Sequence, residues 1–194
     1  MKKIAITGNI GSGKSWVCAL FEHCLGVPVY NSDEKAKKMY FLPEVRQQLE
    51  RRFGKNFYIS DTLLNRKHIA DVIFNDEVAQ HDLEAILYPA LFDDFELWAV
   101  EQDSDYVLFE SALVFEKHLE DCFDAIVLVT ATEETRLRRA MMRDHCDAET
   151  IKQRMAKQWP ESQKLALADY VIQHDSDDED EALLEQIVRL SELF

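Results

Sequence analysis

Short apolar runs alternate with longer segments of helical spacing along this chain of 194 residues. The apolar runs are rich in β-branched and aromatic residues and predict buried strands. They are Lys3–Thr7, Gly26–Tyr30, Asp105–Glu110, Asp124–Thr130 and Asp169–Ile172. Strands that alternate with helices favour a parallel sheet with helices on both faces, so we expect an α/β fold.

The longest helical pattern runs from about residue 34 to residue 102, with few strand signals. Its apolar positions fall at steps of three and four, which is typical of an amphipathic helix. These positions are Leu83, Ile86, Leu87, Leu91, Phe95 and Trp98. Pro89 interrupts the pattern and is expected to start a helical turn or to kink the helix.

The second half of the chain carries further helix signals. Thr132 precedes two acidic residues, a pattern that predicts a capped helix start. Residues 136–157 are expected to be helical, and a C-terminal helix is expected after the acidic run Asp175–Glu181. We interpret that run as a solvated charge cluster that opens the helix, with partner binding as the alternative.

The stretch between the first strand and the first helix carries the chemistry. Gly8–Ser15 fits GxxxxGK[ST] at every fixed position, and a strand, a glycine loop and a helix confirm a phosphate-binding loop. The set expected to hold nucleotide is Gly8, Gly11, Ser12, Gly13, Lys14, Ser15 and Trp16. In such a loop the lysine reaches the β- and γ-phosphates and the Ser15 hydroxyl ligates Mg²⁺. For Trp16 we expect only the backbone N–H, one of the first donors of the helix, to be available for a phosphate oxygen.

Charge and composition limit the partners. The net charge is −15, from 37 acidic and 22 basic residues, and such a surface repels nucleic acid and anionic membranes. No apolar run approaches the roughly 18 residues of a membrane span, and the phosphate loop begins too early for a signal peptide. The four cysteines show no CxxC or zinc-like spacing and are expected to be small buried residues. We therefore expect a cytoplasmic protein.

A phosphate-binding loop leaves the reaction open. Gly26 and Gly54, which follow the loop, have no Asp three places earlier, and NKxD is absent, so a regulatory GTPase is improbable. A small soluble phosphotransferase fits better, and it needs a carboxylate near the acceptor hydroxyl. Asp33, just beyond the second strand, is either that base or a helix-capping residue. Glu110, at the end of the third predicted strand, is either a Mg²⁺-binding acid or a surface charge.

A group of arginines offers a second functional feature. Arg136, Arg139 and Arg143 are spaced i, i+3, i+7 and share one helix face, whereas Arg138 points elsewhere. Such a face could close over polyphosphate and neutralise charge that develops during transfer. The alternative is a solvated face with ion pairs such as Glu133 with Arg136.

Taken in order, these motifs resemble those of the dephospho-CoA kinase family over nearly the whole chain. The matching segments are Thr7–Trp16, Arg66–Phe74, Glu110–Glu116, Arg139–Asp144, Arg154–Gln158 and Ala168–His174, whereas Asn31–Asp33 matches the family's motif at Asp33 only. The chain has Tyr88 where the family has His before Pro89, and His174 where the family has Asn near the adenine.

The resemblance implies a single P-loop kinase domain over residues 1–194, with a five-stranded parallel sheet flanked by helices. It implies a helical CoA-binding lobe at about residues 34–100 and a helical lid at about 136–160. It further implies Mg·ATP-dependent phosphorylation of the ribose 3′-hydroxyl of dephospho-CoA, with Asp33, Lys14, Arg139 and Arg143 catalytic and His174 near the adenine. Another small-metabolite or nucleoside monophosphate kinase is the alternative, and a nucleotide-binding regulator without turnover is a third. The resemblance does not define an oligomeric state.

Overall fold

A computed structural model describes residues 1–73, 76–175 and 180–194 of the chain. Its central element is a five-stranded sheet in which all neighbouring strands are parallel and the strand order is β2-β5-β1-β6-β7. The sheet strands are β1 (Lys2–Thr7), β2 (Val29–Asn31), β5 (Tyr106–Glu110), β6 (Ala125–Thr130) and β7 (Tyr170–Gln173). The predicted α/β class and parallel sheet are confirmed, with strand ends shifted by up to three residues.

Helices connect the strands and follow the last of them. They are α1 (Lys14–Leu25), α2 (Ser32–Met39), α3 (Pro43–Phe53), α4 (Arg66–Ile73), α5 (Glu77–Val100), α6 (Glu133–Asp144), α7 (Ala148–Met155), α8 (Glu161–Leu165) and α9 (Asp180–Ser191). Short 3₁₀ turns lie at Lys55–Phe57 and Glu120–Cys122. The Thr132 hydroxyl accepts from the Thr135 backbone N–H, so the predicted cap of α6 is present.

The chain folds into two compact units. The first unit comprises Met1–Asn31 and Gln102–Phe194 and contains the parallel sheet, and the second unit comprises Ser32–Glu101. Each unit has its own apolar core.

The core of the first unit follows the period-2 pattern of its strands. Ile4 and Ile6 of β1 lie in one cluster with apolar residues of α1 and α9, whereas Ala5, on the opposite face, is also fully buried. Burial of both faces explains why these strands read as continuous apolar runs in the sequence.

A side chain of α9 forms hydrogen bonds with backbone groups of the edge strand β7. The Gln173 backbone N–H donates to Gln186 Oε1 at 3.0 Å, and Gln186 Nε2 donates to the Gln173 carbonyl at 3.1 Å. Residue 186 lies on α9, so this helix satisfies backbone groups that an edge strand otherwise offers to another chain.

The second unit is mostly helical but contains a small hairpin that the sequence did not predict. Strands β3 (Tyr58–Ser60) and β4 (Leu63–Leu64) pair antiparallel, with a register irregularity. These two strands are too short to show an alternation of apolar and polar positions, so the sequence does not indicate them. The unit packs around Val45, Leu49, Phe57, Tyr58 and Leu83.

Some sequence expectations are corrected by the structure. Residues 136–157 form two helices rather than one, because His145 adopts a left-handed conformation (φ 52°) that ends α6. Pro89 lies inside α5 rather than at the start of a helix. Cys24 and Cys122 are exposed, so only Cys18 is the small buried residue that was expected.

Two predicted segments lie partly outside the described residues: Phe74 of the matching segment 66–74, and residues 176–179 of the acidic run. Among the residues that the structure describes, no helix is both long enough and apolar enough to cross a bilayer.

Candidate active site

The phosphate loop connects β1 to α1 at the carboxyl edge of the sheet, and its shape depends on two glycines. Gly11 and Gly13 have φ values of 78° and 92°, in the left-handed region that favours glycine. A Cβ on Gly11 would lie 2.1 Å from the Arg136 carbonyl oxygen, and a Cβ on Gly13 would lie 2.2 Å from His174 Nδ1. Both conformation and lack of space therefore require glycine at these positions.

A cavity of about 240 Å³ lies against this loop. We call it the phosphate cavity; its lining is Gly11, Ser12, Gly13, Lys14, Ser15, Arg139, Ala140 and Arg143. Three cations thus face a loop that also presents a helix N-terminus, an arrangement suited to a polyphosphate. Seven of the predicted site residues therefore meet here: the five loop residues from Gly11 to Ser15, and Arg139 and Arg143, which lie far from the loop in the sequence.

Arg139 and His174 lie beside the loop and are linked to each other. Arg139 Nη1 donates to the His174 carbonyl at 2.8 Å and lies 3.5 Å from the Ser12 carbonyl oxygen. His174 is buried, and its backbone N–H donates to the Thr130 carbonyl at the end of β6. The sheet edge therefore fixes His174, which in turn orients Arg139 at the cavity.

Arg143 reaches the phosphate cavity from an ion-pair network that joins α6 to α7. Its Nε and Nη2 donate to the two carboxylate oxygens of Asp144, at 2.7 and 3.1 Å, and Arg154 Nη1 of α7 donates to Asp144 Oδ2 at 2.7 Å. Hydrogen bonds from Arg143, followed by those from Arg154, lower the pKa of Asp144 from 3.8 to about 2. Asp144 therefore stays ionised and holds Arg143 in place.

Arg136 does not line the phosphate cavity, although the sequence places it on one helix face with Arg139 and Arg143. Its guanidinium is buried, donates from Nε to the Ala131 carbonyl at 3.1 Å and lies 3.6 Å from Glu161 Oε2. It lines a second cavity, of about 650 Å³, together with Asn9 and Gln158. The helix face that contacts the phosphate cavity is thus formed by Arg139 and Arg143, and the ion-pair partner of Arg136 is Glu161 rather than Glu133.

Glu110 receives two polar side chains at the carboxyl ends of the strands. Ser15 Oγ donates to Glu110 Oε1 at 2.5 Å, and Asn31 Nδ2 donates to Glu110 Oε2 at 2.7 Å. Asn31 and Glu110 are also register partners in β2 and β5, so the sheet places them side by side. Burial, with a further contribution from Glu110, raises the pKa of the Cys18 thiol, so this neighbouring cysteine is kept as a neutral thiol.

The sequence reasoning missed the contribution of Asn31. The motif match at Asn31–Asp33 rests on Asp33 alone, so it carries no signal for Asn31. The strand order, which sequence spacing does not supply, makes the two residues neighbours.

Three other predicted site residues have distinct positions. Asp33 lies in the first turn of α2, is exposed and belongs to the second unit. The Trp16 backbone N–H, expected to be available for phosphate, donates to the Gly13 carbonyl at 3.0 Å because the first turn of α1 closes on that carbonyl. Gly8 lies at the start of the loop, where a Cβ would come within 2.5 Å of Ser12 Oγ and of the Val129 carbonyl oxygen.

A parallel sheet of this strand order, a glycine loop that leads into a helix, and three cations around a phosphate cavity define a P-loop nucleotide-binding protein. The sequence model of the dephospho-CoA kinase family matches residues 2–180. A dephospho-CoA kinase of Bacteroides fragilis is 36% identical over 190 residues, which covers 97% of this chain and 90% of that protein. The chain belongs to the dephospho-CoA kinase family.

Solved structures show the same fold. A crystal structure of a Thermus thermophilus protein superposes with a TM-score of 0.86 at 31% identity and covers 100% of this chain and 98% of its own. A shikimate kinase of Bacteroides thetaiotaomicron superposes with a TM-score of 0.56 at 15% identity, over 99% of this chain and 97% of its own, which shows the shared fold alone. Membership of a P-loop kinase family implies the use of ATP.

Proposed function

We propose that this protein transfers the γ-phosphoryl group of ATP to the ribose 3′-hydroxyl of dephospho-CoA, which yields coenzyme A and ADP. The observation that carries the proposal is the family match over residues 2–180, in a chain whose matched residues build a cationic phosphate cavity. Formation of coenzyme A makes this the final step of its biosynthesis. We propose a cytoplasmic location, because the chain belongs to a family of metabolic kinases.

The proposed reaction is an in-line displacement. The 3′-oxygen attacks the γ-phosphorus, the bond from that phosphorus to the β–γ bridging oxygen breaks, and ADP leaves with that oxygen. Asp33 accepts the hydroxyl proton. This role is supported by an exposed carboxylate two residues beyond the end of β2, at the position of the family's acid. The exposure also suits contact with a bound acceptor.

Binding and charge stabilisation fall to the phosphate cavity. The loop from Gly11 to Ser15 holds the phosphates, Lys14 approaches the β- and γ-phosphates, and Arg139 and Arg143 offset charge on the transferring group. His174 is proposed to lie near the adenine, since Arg139 bridges it to the loop. Lys14, Arg139 and Arg143 concentrate positive charge at this cavity in a protein whose net charge is −15.

The residues around Glu110 fit a magnesium ion. The Ser15 hydroxyl and the Glu110 carboxylate are adjacent oxygen donors, the ligand type that Mg²⁺ takes, with Glu110 acting through water. Bound there, Mg²⁺ would neutralise phosphate charge. Asn31 keeps the second carboxylate oxygen of Glu110 in a fixed direction.

The second unit is proposed to bind the acceptor. A helical insertion of 70 residues, from Ser32 to Glu101, is more than a small sugar or acid requires, and it suits an acceptor with an extended arm. Selection is therefore assigned to this unit.

The test is ADP release by the purified protein with dephospho-CoA, AMP, CMP and shikimate as acceptors. We expect turnover with dephospho-CoA alone, and a product whose mass has increased by one phosphoryl group. Lys14→Ala, prepared identically, should lose the activity and so exclude a contaminating kinase. Turnover of AMP or CMP without turnover of dephospho-CoA would favour a nucleoside monophosphate kinase, and ATP binding without any turnover would favour a regulator.

A further inference from the structure

Two residues that follow α7 hold the front half of the phosphate loop. The Ile10 backbone N–H donates to Gln158 Oε1 at 2.7 Å, and Asn9 Nδ2 donates to the Trp159 carbonyl at 3.2 Å. Asn9 and Ile10 are the two residues between Gly8 and the glycines of the phosphate cavity. The first half of the loop is therefore held by protein groups, whereas its second half lines the cavity.

The neighbouring residue, Gly11, is confined by α6. The Arg136 carbonyl of α6 lies so close to Gly11 that a Cβ would meet it at 2.1 Å. The loop is thus bounded by the start of α6 and by the segment after α7. Since the space beside Gly11 is occupied, Gly11 has little room to take up a shift of Ile10.

The segment that carries Gln158 is itself anchored in the interior. The Trp159 backbone N–H donates to Glu116 Oε1 at 3.1 Å, and Lys164 Nζ lies 2.6 Å from the same oxygen. Lys164 is fully buried and also contacts the Ala112 carbonyl at 3.4 Å. A buried ion pair is weak evidence for stabilisation, but it does define a position, here that of residues 158 and 159.

We propose that Gln158 is a positioning residue for ATP binding: by accepting the Ile10 N–H, it holds the phosphate loop in its binding conformation before ATP arrives. Prior ordering of a binding loop raises affinity because the ordering cost is not deducted from the binding free energy. Among the described residues, those that line the phosphate cavity do not include Gln158, so its effect passes through the loop. The inference rests on the proposed use of the loop for ATP.

The test compares Gln158→Met, which keeps length and removes the acceptor, with Gln158→Glu, which keeps an acceptor oxygen. Gln153→Met is the matched control, because Gln153 lies on α7 and its amide contacts Glu149 within the same helix. Two quantities are measured: the Kd for ATP without acceptor substrate, by calorimetry, and hydrogen exchange of the Ile10 amide in the nucleotide-free protein, by NMR.

For Gln158→Met we expect a Kd for ATP raised on the order of tenfold and a clear loss of Ile10 amide protection, with a melting temperature within a few degrees of the wild type. Gln158→Glu should retain the protection, and Gln153→Met should resemble the wild type in both readouts. A Gln158→Met protein that melts lower but binds ATP with wild-type affinity would overturn the inference, as would unchanged Ile10 protection.

The ATP-binding measurement distinguishes a failure of this inference from a failure of the proposed function. A wild-type protein that does not bind ATP would contradict the proposed function itself. A wild-type protein that binds ATP, together with a Gln158→Met variant that binds it equally, would contradict only the role of Gln158.

Discussion

At the scale of single residues, the question is which side chains of the site act on the substrate and which only stabilise the fold. Asp33 can have both roles, because an acid in the first turn of a helix also stabilises that helix by interacting with the helix dipole. Its exposure at the start of α2 fits both roles. A substitution that keeps size and removes the charge can separate them.

For Asp33→Asn we expect kcat to fall by roughly 10²–10⁴-fold with little change in ATP affinity, because an amide cannot accept the hydroxyl proton. Steady-state kinetics and a calorimetric Kd measure the two effects. Glu34→Gln is the control, since Glu34 occupies the same helical turn. A lower melting temperature with turnover preserved would show that Asp33 is a helix-stabilising residue rather than the base.

The arginines of α6 allow a second comparison within a few residues. Arg139 and Arg143 line the phosphate cavity, whereas Arg138 is an exposed residue pointing elsewhere on the helix. We expect Arg139→Ala and Arg143→Ala each to lower kcat/KM on the order of tenfold or more, because a cation at the transferring group is removed. Arg138→Ala should do much less. Equal losses from all three would indicate that bulk positive charge, not position, is responsible.

At the scale of elements, α6 and α7 are joined by the carboxylate of Asp144 between Arg143 and Arg154. The two arginine side chains are 58% and 48% exposed, so solvent screens the attraction and the network contributes only about 1–2 kcal/mol. This contribution matters locally because the same contacts orient Arg143 toward the cavity.

The network predicts a defined pH dependence. Folding lowers the pKa of Asp144 from 3.8 to about 2, so its stabilisation is complete above a pH of about 4 and is lost as the pH falls toward about 2. We expect the difference in unfolding free energy between the wild type and Asp144→Asn to shrink over that range. Urea titrations at several pH values measure it. A difference that stays constant down to pH 2 would show that the Asp144 charge does not stabilise the fold.

At the scale of the whole molecule, the two units carry different tasks under the proposed function. The phosphate cavity belongs entirely to the first unit, and the second unit has its own core around Leu49. A defect confined to that core should therefore affect acceptor binding more than nucleotide binding.

Leu49→Ala tests this division, because Leu49 is fully buried. We expect a stability loss of about 2–5 kcal/mol, a raised KM for dephospho-CoA and an ATP Kd within about twofold of the wild type. Ile59→Ala, at an exposed position of β3, is the control and should change stability by no more than about 0.5 kcal/mol. A matching loss of ATP affinity in Leu49→Ala would contradict the separation of tasks.

Much of this molecule could be predicted from local signals. The phosphate loop requires glycines and a lysine at fixed spacing, and buried parallel strands require continuous apolar runs, so the sequence predicts both the sheet and the loop. The family was also identified from ordered motifs and is confirmed. These features depend on residues close together in the chain, which is why sequence alone determined them.

The contacts between distant segments were decided by tertiary structure. Three such contacts have no signal in the sequence. They are the hydrogen bond from Asn31 to Glu110, the ion pair of Arg136 with Glu161 instead of Glu133, and the hydrogen bond from the Ile10 amide to Gln158. Each depends on strand order or on where a helix ends, and these follow from packing the whole chain rather than from local preference. The sequence by itself determined the phosphate loop, the strands and the family. The tertiary structure alone decided which side chains hold the loop and the strand ends in place.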